Sequence, residues 1–566
     1  MNCFLQSNPR GLQFSPQINS YILTGGIIMA CGIAGVIGTS DNLLFLRLLT
    51  GAIRHRGNGE GSGVMVFNQT TVQRHAVVGK YKELFDTWID RADNEHVEVG
   101  ITHLRYATAG DNSSLSEVSP LTGDFQGSPF AVSHNGNIPG YRQLRVLLEA
   151  RGYTFTSNVD SEVIVALISL APVSTLSAAV EYTIREITEF TNGEAAISVV
   201  VATHGTLILA CEGRKYHPLV YGRLGLGWVA SSETRSMDRE NLQAQDIRPV
   251  LPGQIVVIRT NGLQTRQTPC AANTQHCVIE YFYYARPDSV IFGDGRTVGD
   301  IRREIGKKLA QLFVPKRPNT IVVGLPASAL PFAEQAAEEW GHPFVRVFIR
   351  DPDYPEDERS FMQPTQDARA DVARKKLAAN LDSLLQVLVI IQDDDLDTLR
   401  IRITEVLREC LEDADLTGLL STIQTDDKRV SIVERVERLV QSLSESILVD
   451  NALLASLGKA FTSTLIHVVL IDDTLMRGTT LRENVGRIKD HVASVYFVSA
   501  APMVVNSCKH GVDIAKPMEL LATQCEEDTT RIAKEIGVNA AYFPETDILQ
   551  VIRPMCDSCH DCMIRE

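Results

Sequence analysis

From Cys31 to about residue 265 the apolar positions come in short runs broken by Gly, Asn and Asp. These runs read CGIAGVIG (31–38), GSGVMVF (61–67), AAISVVVAT (195–203), GTLILACEG (205–213), LGWVASS (226–232) and GQIVVIRT (253–260). Short apolar runs between turn residues predict β-strands. Helical spacing appears among them, as in SEVIVALISLA (161–171). The pattern predicts sheets sandwiched with helices, a layered α/β or α+β unit. From about residue 280 the pattern changes. GDIRREIGKKLAQLF (299–313) reads as a helix and NTIVVGLPAS (319–328) as a strand and loop. PFAEQAAEEWG (331–341) reads as a helix stopped by Gly341. HVVLIDD (467–473) reads as a buried strand and TTLRENVGRIKDHV (479–492) as a helix. This alternation predicts a parallel sheet.

Between PFAEQAAEEWG and HVVLIDD lies a segment with a different character, about 377–465. Apolar residues recur at Leu396, Leu399, Ile403, Leu407 and Cys410, and again at Ile432, Val436, Leu439, Leu443 and Ile447. Those spacings predict amphipathic helices, a helical insertion packed on the main body. No internal repeat or low-complexity tract appears. At 566 residues the chain is long enough for several domains.

Composition is that of an ordinary globular protein, 44% hydrophobic and 22% charged. A net charge of -15 disfavours nucleic acid as a partner. No apolar run predicts a membrane span, because glycines interrupt the best stretch, YILTGGIIMACGIAGVIG. That stretch also lacks the basic flank of a secretory signal. Eleven cysteines in so long a chain do not resemble a secreted disulfide framework. The expected location is cytoplasmic and reducing, with cysteines that do chemistry, bind metal or fill the core.

Cys31 stands out. Gly32 and Ala34 follow it, so it fits neither a helix interior nor a disulfide pair. A nucleophilic thiol needs a base, and no His is adjacent. An N-terminal cysteine supplies its own, because an α-amino group with a pKa near 8 accepts the thiol proton. That use requires removal of residues 1–30 as a propeptide or an over-long N-terminus. On residue chemistry alone a buried structural cysteine stands equally open.

Four downstream motifs bear on the choice: RHRGNGEGSGV (54–64), THLRYATAG (102–110), SHNGNI (133–138) and NVDSEV (158–163). With CGIAG they resemble, in order, the glutaminase domain of the N-terminal-nucleophile amidotransferases. The resemblance implies an αββα fold over residues 31–265. It implies that Cys31 attacks the side-chain carboxamide of glutamine. Asn135 and the backbone N–H of Gly136 would form the oxyanion hole. Arg105 would hold the α-carboxylate of glutamine and Asp160 its α-amino group. Arg56, Tyr106 and Thr108 would line and close the pocket.

VVLIDDTLMRGTT (468–480) is the second strong motif. An apolar strand ends in Asp472 and Asp473, and a loop then opens a helix. Backbone N–H groups and hydroxyls at a helix N-terminus cradle phosphate, and adjacent carboxylates suit ribose hydroxyls and Mg²⁺. The motif resembles the phosphoribosyl pyrophosphate (PRPP) site of type I phosphoribosyltransferases. That implies a parallel-sheet phosphoribosyltransferase domain over 266–566. Asp472, Asp473, Thr474, Arg477, Gly478, Thr479 and Thr480 would bind PRPP, and Ser328, Asp472 and Asp473 would meet Mg²⁺. EYFYYARPDS (280–289) and RSFMQPTQDAR (359–369) narrow the likeness to the glutamine PRPP amidotransferases. The second of these corresponds to the family's mobile loop over bound PRPP.

The family resemblance implies transfer of glutamine-derived ammonia to C1 of PRPP, the first committed step of purine synthesis. It implies a homo-oligomer with purine nucleotides as feedback inhibitors, and neither nucleic acid nor membrane as partner. One branch of the family holds a [4Fe–4S] cluster on four cysteines. The matching positions are Cys277, Cys508, Cys559 and Cys562, the last two in a cysteine-rich tail over 556–562; zinc is the alternative metal, and Cys556 could replace Cys559. Departures from the family are also present. LPASALP (325–331) carries Ala327 and Ala329 where the family has Asp and Gly, while Ser328 is kept. The usual Lys before the PRPP strand is replaced within TLIHVVLIDD, and the chain stops soon after Cys562. These leave an alternative: an amidotransferase relative whose phosphoribosyl half serves another acceptor or senses metabolites.

Overall fold

The computed structural model describes residues 31–57, 61–92, 97–105, 114–213, 217–238, 242–268, 275–293, 295–350, 366–379, 463, 465–508, 517–552 and 557–564. The expected propeptide (1–30), Tyr106, Thr108, Cys556 and most of the loop 359–369 lie outside them. So does 380–462, which holds nearly all of the expected helical insertion.

The first unit is two antiparallel sheets face to face with helices outside. The seven-stranded sheet is centred on Gly32–Ile37, which pairs with Gly227–Ser231 on one side and Val99–Leu104 on the other. All six residues of Gly32–Ile37 are buried, because both faces of the strand are covered. Ile33 and Ile37 face the second sheet; Ala34 and Val36 face the helix Asn42–Ala52 through Leu46 and Leu49. Side chains alternate across a strand, so a run apolar at every position has two cores to serve. Gly35 stands on the inter-sheet face, where a Cβ would come within 3.1 Å of Leu207 and Val200. The six-stranded sheet places Ser128–Asn137 beside Ala196–Thr203, with the helices Glu162–Ser169 and Leu176–Phe190 on its outer face. The layers are those of the αββα arrangement expected. The last strand, Gly262–Gln267, runs past the expected boundary at 265.

The second unit holds a four-stranded parallel sheet in the order Thr320–Gly324, His467–Asp472, Ser494–Ser499 and Ala540–Tyr542. Helices Val298–Leu312, Leu330–Trp340, Thr479–Ile488 and Thr529–Ile536 accompany it. Val298–Leu312 starts on a capping box, Thr297 with Asp300. Leu330–Trp340 ends at Gly341 in the left-handed conformation, the stop read from the sequence. In a parallel sheet the loops at the carboxyl ends of the strands form the binding crevice. Here those loops are Leu325–Ser328 and Asp473–Gly478.

The start of the expected insertion is not helical. Leu377–Ala379 is a strand paired with Phe348–Arg350, directly after the helix Gln366–Lys376. Leu377 is drawn into the sheet core, whereas Ala378 is exposed, so period two wins over helical spacing there. A further pairing joins the tail to the junction of the two units: Gln275–Cys277 runs parallel to Asp557–Cys559. Among the described residues no helix is long and apolar enough to cross a membrane.

Candidate functional site

Cys31 lies at the start of the central strand of the seven-stranded sheet and is 8% exposed. Its backbone N–H donates to Asn135 Oδ1 at 2.9 Å. A backbone N–H only donates, so the Asn135 atom facing it is the carbonyl oxygen. The other end of that carboxamide, Nδ2, is thereby fixed as a donor; it is buried and makes no hydrogen bond. Buried amide donors are nearly always satisfied, so one left without an acceptor beside a thiol residue points to a site for negative charge.

Gly136 follows with φ +152°, and a Cβ there would stand 1.9 Å from the Ala196 carbonyl oxygen. Only glycine fits at this bend of Ser128–Asn137. Asp160 is buried beside it, with Oδ2 accepting the Ile138 N–H at 3.2 Å. Arg105 follows the strand Val99–Leu104; it too is buried, and its N–H donates to the Gly61 carbonyl at 2.8 Å.

Arg56 is placed otherwise than expected. It is 1% exposed, and its guanidinium is committed to two carboxylates. Nε donates to Glu233 at 2.6 Å, and Nη1 and Nη2 grip Glu280 at 3.1 and 2.7 Å. His55 adds a 2.8 Å contact to Glu233, and His217 one of 3.3 Å to Glu280. The remaining Glu233 oxygen accepts from Ser289 and from the Arg286 N–H. Burial alone would raise both glutamates, but His55 and Arg56 hold Glu233 well below the usual carboxylate range, and Arg56 and His217 lower Glu280. Burial pushes His55 down to about 4, so it is neutral at pH 7. Arg56 therefore ties the base of the Cys31 strand, where Gly32 packs on its Cβ, to the helical turn Glu280–Tyr284. His55, His217 and Glu233 were not singled out in the sequence. Glu233 alone carries a signal, a charged residue just after the apolar strand of LGWVASS.

In the second unit Ser328, Asp472, Asp473, Thr474, Arg477, Gly478, Thr479 and Thr480 line one cleft of about 160 Å³. Asp473 is buried, bonded by the hydroxyls of Ser328 and Thr474. Asp472 Oδ1 accepts the Asp473 N–H at 2.9 Å. Gly478 has φ +73° and precedes Thr479–Ile488, so the loop turns sharply into a helix N-terminus. Arg477 pairs with Glu519 through Nη2 at 3.1 Å, while its buried Nη1 makes no hydrogen bond. Tyr283, Tyr284 and Arg286 also line the cleft. The strip 280–287 thus reaches from the Arg56 network to the phosphoribosyl side. Of the two unusual alanines, Ala327 borders the cleft, while Ala329 is fully buried in the core.

Cys277, Cys508, Cys559 and Cys562 come together from three parts of the chain. Cys277 and Cys559 are partners in the short parallel pairing, and the Cys562 carbonyl accepts the N–H groups of Val505 and Asn506. Burial first, and the neighbouring thiols next, push Cys277, Cys559 and Cys562 up. They are neighbours rather than a finished coordination shell: among the described residues no three His, Cys, Asp or Glu are set to hold a metal ion.

A family model described as glutamine amidotransferase domain matches residues 104–239. The amidophosphoribosyltransferase of Methanothermobacter thermautotrophicus is 30% identical over 94% of this chain and 93% of its own. That of Staphylococcus aureus strain MRSA252 is 30% identical over 68% of this chain and 75% of its own. The solved glutamine PRPP amidotransferase of B. subtilis, complexed with ADP and GMP, superposes with a TM-score of 0.69 at 24% identity, covering 94% of this chain and 96% of that one. Together, a relative that matches almost end to end and a common fold lead to one conclusion: the chain belongs to the amidophosphoribosyltransferase family.

Proposed function

We propose that this protein transfers ammonia from glutamine to PRPP, giving 5-phosphoribosylamine, glutamate and pyrophosphate, with glutaminase chemistry in 31–265 and phosphoribosyl chemistry in 266–566. The observation that carries the reading is the Asn135 carboxamide: its oxygen pinned by residue 31, its buried N–H₂ aimed at nothing. Removal of residues 1–30 turns the Cys31 nitrogen into an α-amine, and that amine takes the thiol proton. The thiolate attacks the glutamine carboxamide; Asn135 Nδ2 and the Gly136 N–H meet the oxyanion. The proton returns to the departing ammonia, and water releases glutamate. Arg105 holds the substrate α-carboxylate, Asp160 its α-ammonium, and Tyr106 and Thr108 close the pocket. Arg56 acts one layer behind, fixing the Cys31 strand against the 280–287 strip.

On the acceptor side, Arg477 to Thr480 cradle the 5′-phosphate, and Asp472 and Asp473 take the ribose hydroxyls. Mg²⁺ held by Asp472, Asp473 and Ser328 would neutralise the pyrophosphate as it leaves. The expected result of Asp472→Ala with Asp473→Ala is a loss of PRPP affinity of about a hundredfold or more, since each charge-assisted bond is worth roughly 1.5–3 kcal/mol. Calorimetry with Mg²⁺ measures it. A cleft-facing Ala327 favours the second reading, a drifted acceptor. A glutamine-dependent assay with and without PRPP decides: turnover that ignores PRPP, with no PRPP binding, would leave only that reading.

The four clustered thiols suit an iron–sulfur donor set, because the buried thiols of Cys277, Cys559 and Cys562 repel one another's charge and ionise only against a cation. Cys277, Cys508, Cys559 and Cys562 would hold it, and the cluster would staple the tail to the junction. Anaerobically purified protein should be brown and contain about four irons per chain. One equivalent of zinc without iron would reject the cluster. Purine nucleotides as inhibitors, a homo-oligomer and a cytoplasmic location complete the proposal.

A further inference from the structure

His134 and Ser161 are buried polar neighbours that the reaction above leaves without a task. His134 directly precedes Asn135, and Ser161 directly follows Asp160. Imidazole Nε2 lies 3.2 Å from the Ala196 carbonyl oxygen and Nδ1 2.9 Å from Ser161 Oγ. A carbonyl oxygen can only accept, so Nε2 carries the proton. Burial lowers the His134 pKa, and His217 acts the same way against the opposing pull of Asp160 and Ala196. The ring is then neutral, and Nδ1 is a bare acceptor whose donor is the Ser161 hydroxyl. Serine has one proton to give. Its other neighbour is Asp160 Oδ1 at 3.3 Å. Asp160 Oδ2 is already taken by the Ile138 N–H.

We propose that His134 is a positioning residue that draws the Ser161 hydroxyl toward itself, leaving Asp160 Oδ1 an undivided acceptor for the α-ammonium of glutamine. The proposal rests on the reading of Asp160 as the α-ammonium clamp. A carboxylate oxygen that already receives a hydroxyl proton is a weaker partner for a cation. The hydroxyl therefore competes with substrate, and the imidazole removes the competitor.

The two hydrogen bonds of the ring can be separated. His134→Gln keeps a donor that reaches Ala196 and loses the acceptor at Nδ1; His134→Asn keeps the acceptor and loses the donor. His134→Gln should raise the KM for glutamine about tenfold, the size of one charged hydrogen bond, with kcat within about twofold. His134→Asn should stay near the parent. Adding Ser161→Ala to His134→Gln should bring KM back, because no hydroxyl remains to compete. A purely structural role predicts the reverse, a double variant no better than the single. Ser161→Ala alone should leave KM unchanged or lower. A several-fold rise there would overturn the proposal even if neither His134 variant folds, as would a His134→Gln defect confined to kcat. Glutamine affinity by calorimetry in a Cys31→Ala background gives the same comparison without turnover. A parent protein that hydrolyses no glutamine would instead refute the glutaminase reading, and the affinities would still test the pair.

Discussion

Cys31→Ala should abolish glutamine-driven product formation and leave the ammonia-driven reaction in place. Removing a covalent nucleophile costs about 10⁴-fold or more, because no neighbouring group forms the same intermediate. The acceptor cleft is built on other strands, so high concentrations of free ammonia should still be used there. Asn135→Ala provides the graded comparison. It removes one oxyanion donor, worth roughly 10²–10³ in kcat, and also frees the Cys31 N–H that Asn135 Oδ1 now accepts. Product formation from glutamine and from ammonium salts, measured side by side, checks both variants. Glutamine turnover in a homogeneous Cys31→Ala preparation would remove Cys31 from the mechanism. Intact mass on the active parent adds a second constraint: a fully active species that retains Ala30 would exclude the α-amine as the base.

The elements that could be read from sequence share one property: their pattern is local. Gly32–Ile37 and the Val468–Ile471 core of His467–Asp472 are continuous apolar runs, and each has its proposed site residues chain-adjacent, Cys31 before the first and Asp472 and Asp473 after the second. Gly136 and Gly478 are legible for the same reason, since a backbone that only glycine allows is a property of the residue itself. Arg56 is the opposite case. Its partners Glu233 and Glu280 lie 177 and 224 residues away, and no spacing rule couples positions at that distance. RHRG therefore reads as pocket chemistry, while the fold uses its arginine to seal the base of the nucleophile strand. The alanines of LPASALP divide likewise. Both look like losses of phosphate-binding groups, yet only Ala327 faces the cleft; Ala329 is core. Restoring Asp at 327 is a local change of chemistry, whereas Gly at 329 would open a cavity beneath the loop.

Arg56→Met should be among the most destabilising single substitutions in the chain. It leaves two buried carboxylates without their cation, and breaking one side of a buried ion pair costs about 3–5 kcal/mol. The effect has a pH signature that separates it from a simple packing defect. In the parent, Glu233 and Glu280 have folded values below the ordinary 4.5. Their contribution is fully present above that value and is lost as pH falls through the folded values. Without Arg56, Glu280 loses the largest influence that lowers it and burial drives its carboxyl upward, so its contribution is present at low pH and lost as pH rises through the new value, while Glu233 keeps its contact with His55. The stability gap between parent and variant should therefore widen from pH 5 to pH 8. Denaturant midpoints for both proteins at the two pH values measure it; a gap that stays constant would mean that the carboxylates find other compensation. Arg56→Lys should recover only part of the loss. An ammonium restores the charge, but it cannot span Glu233 through Nε while gripping both oxygens of Glu280 with a planar fork. Because Glu280 begins the strip whose Tyr283 and Tyr284 border the phosphoribosyl cleft, the same substitution should loosen both halves of the enzyme at once.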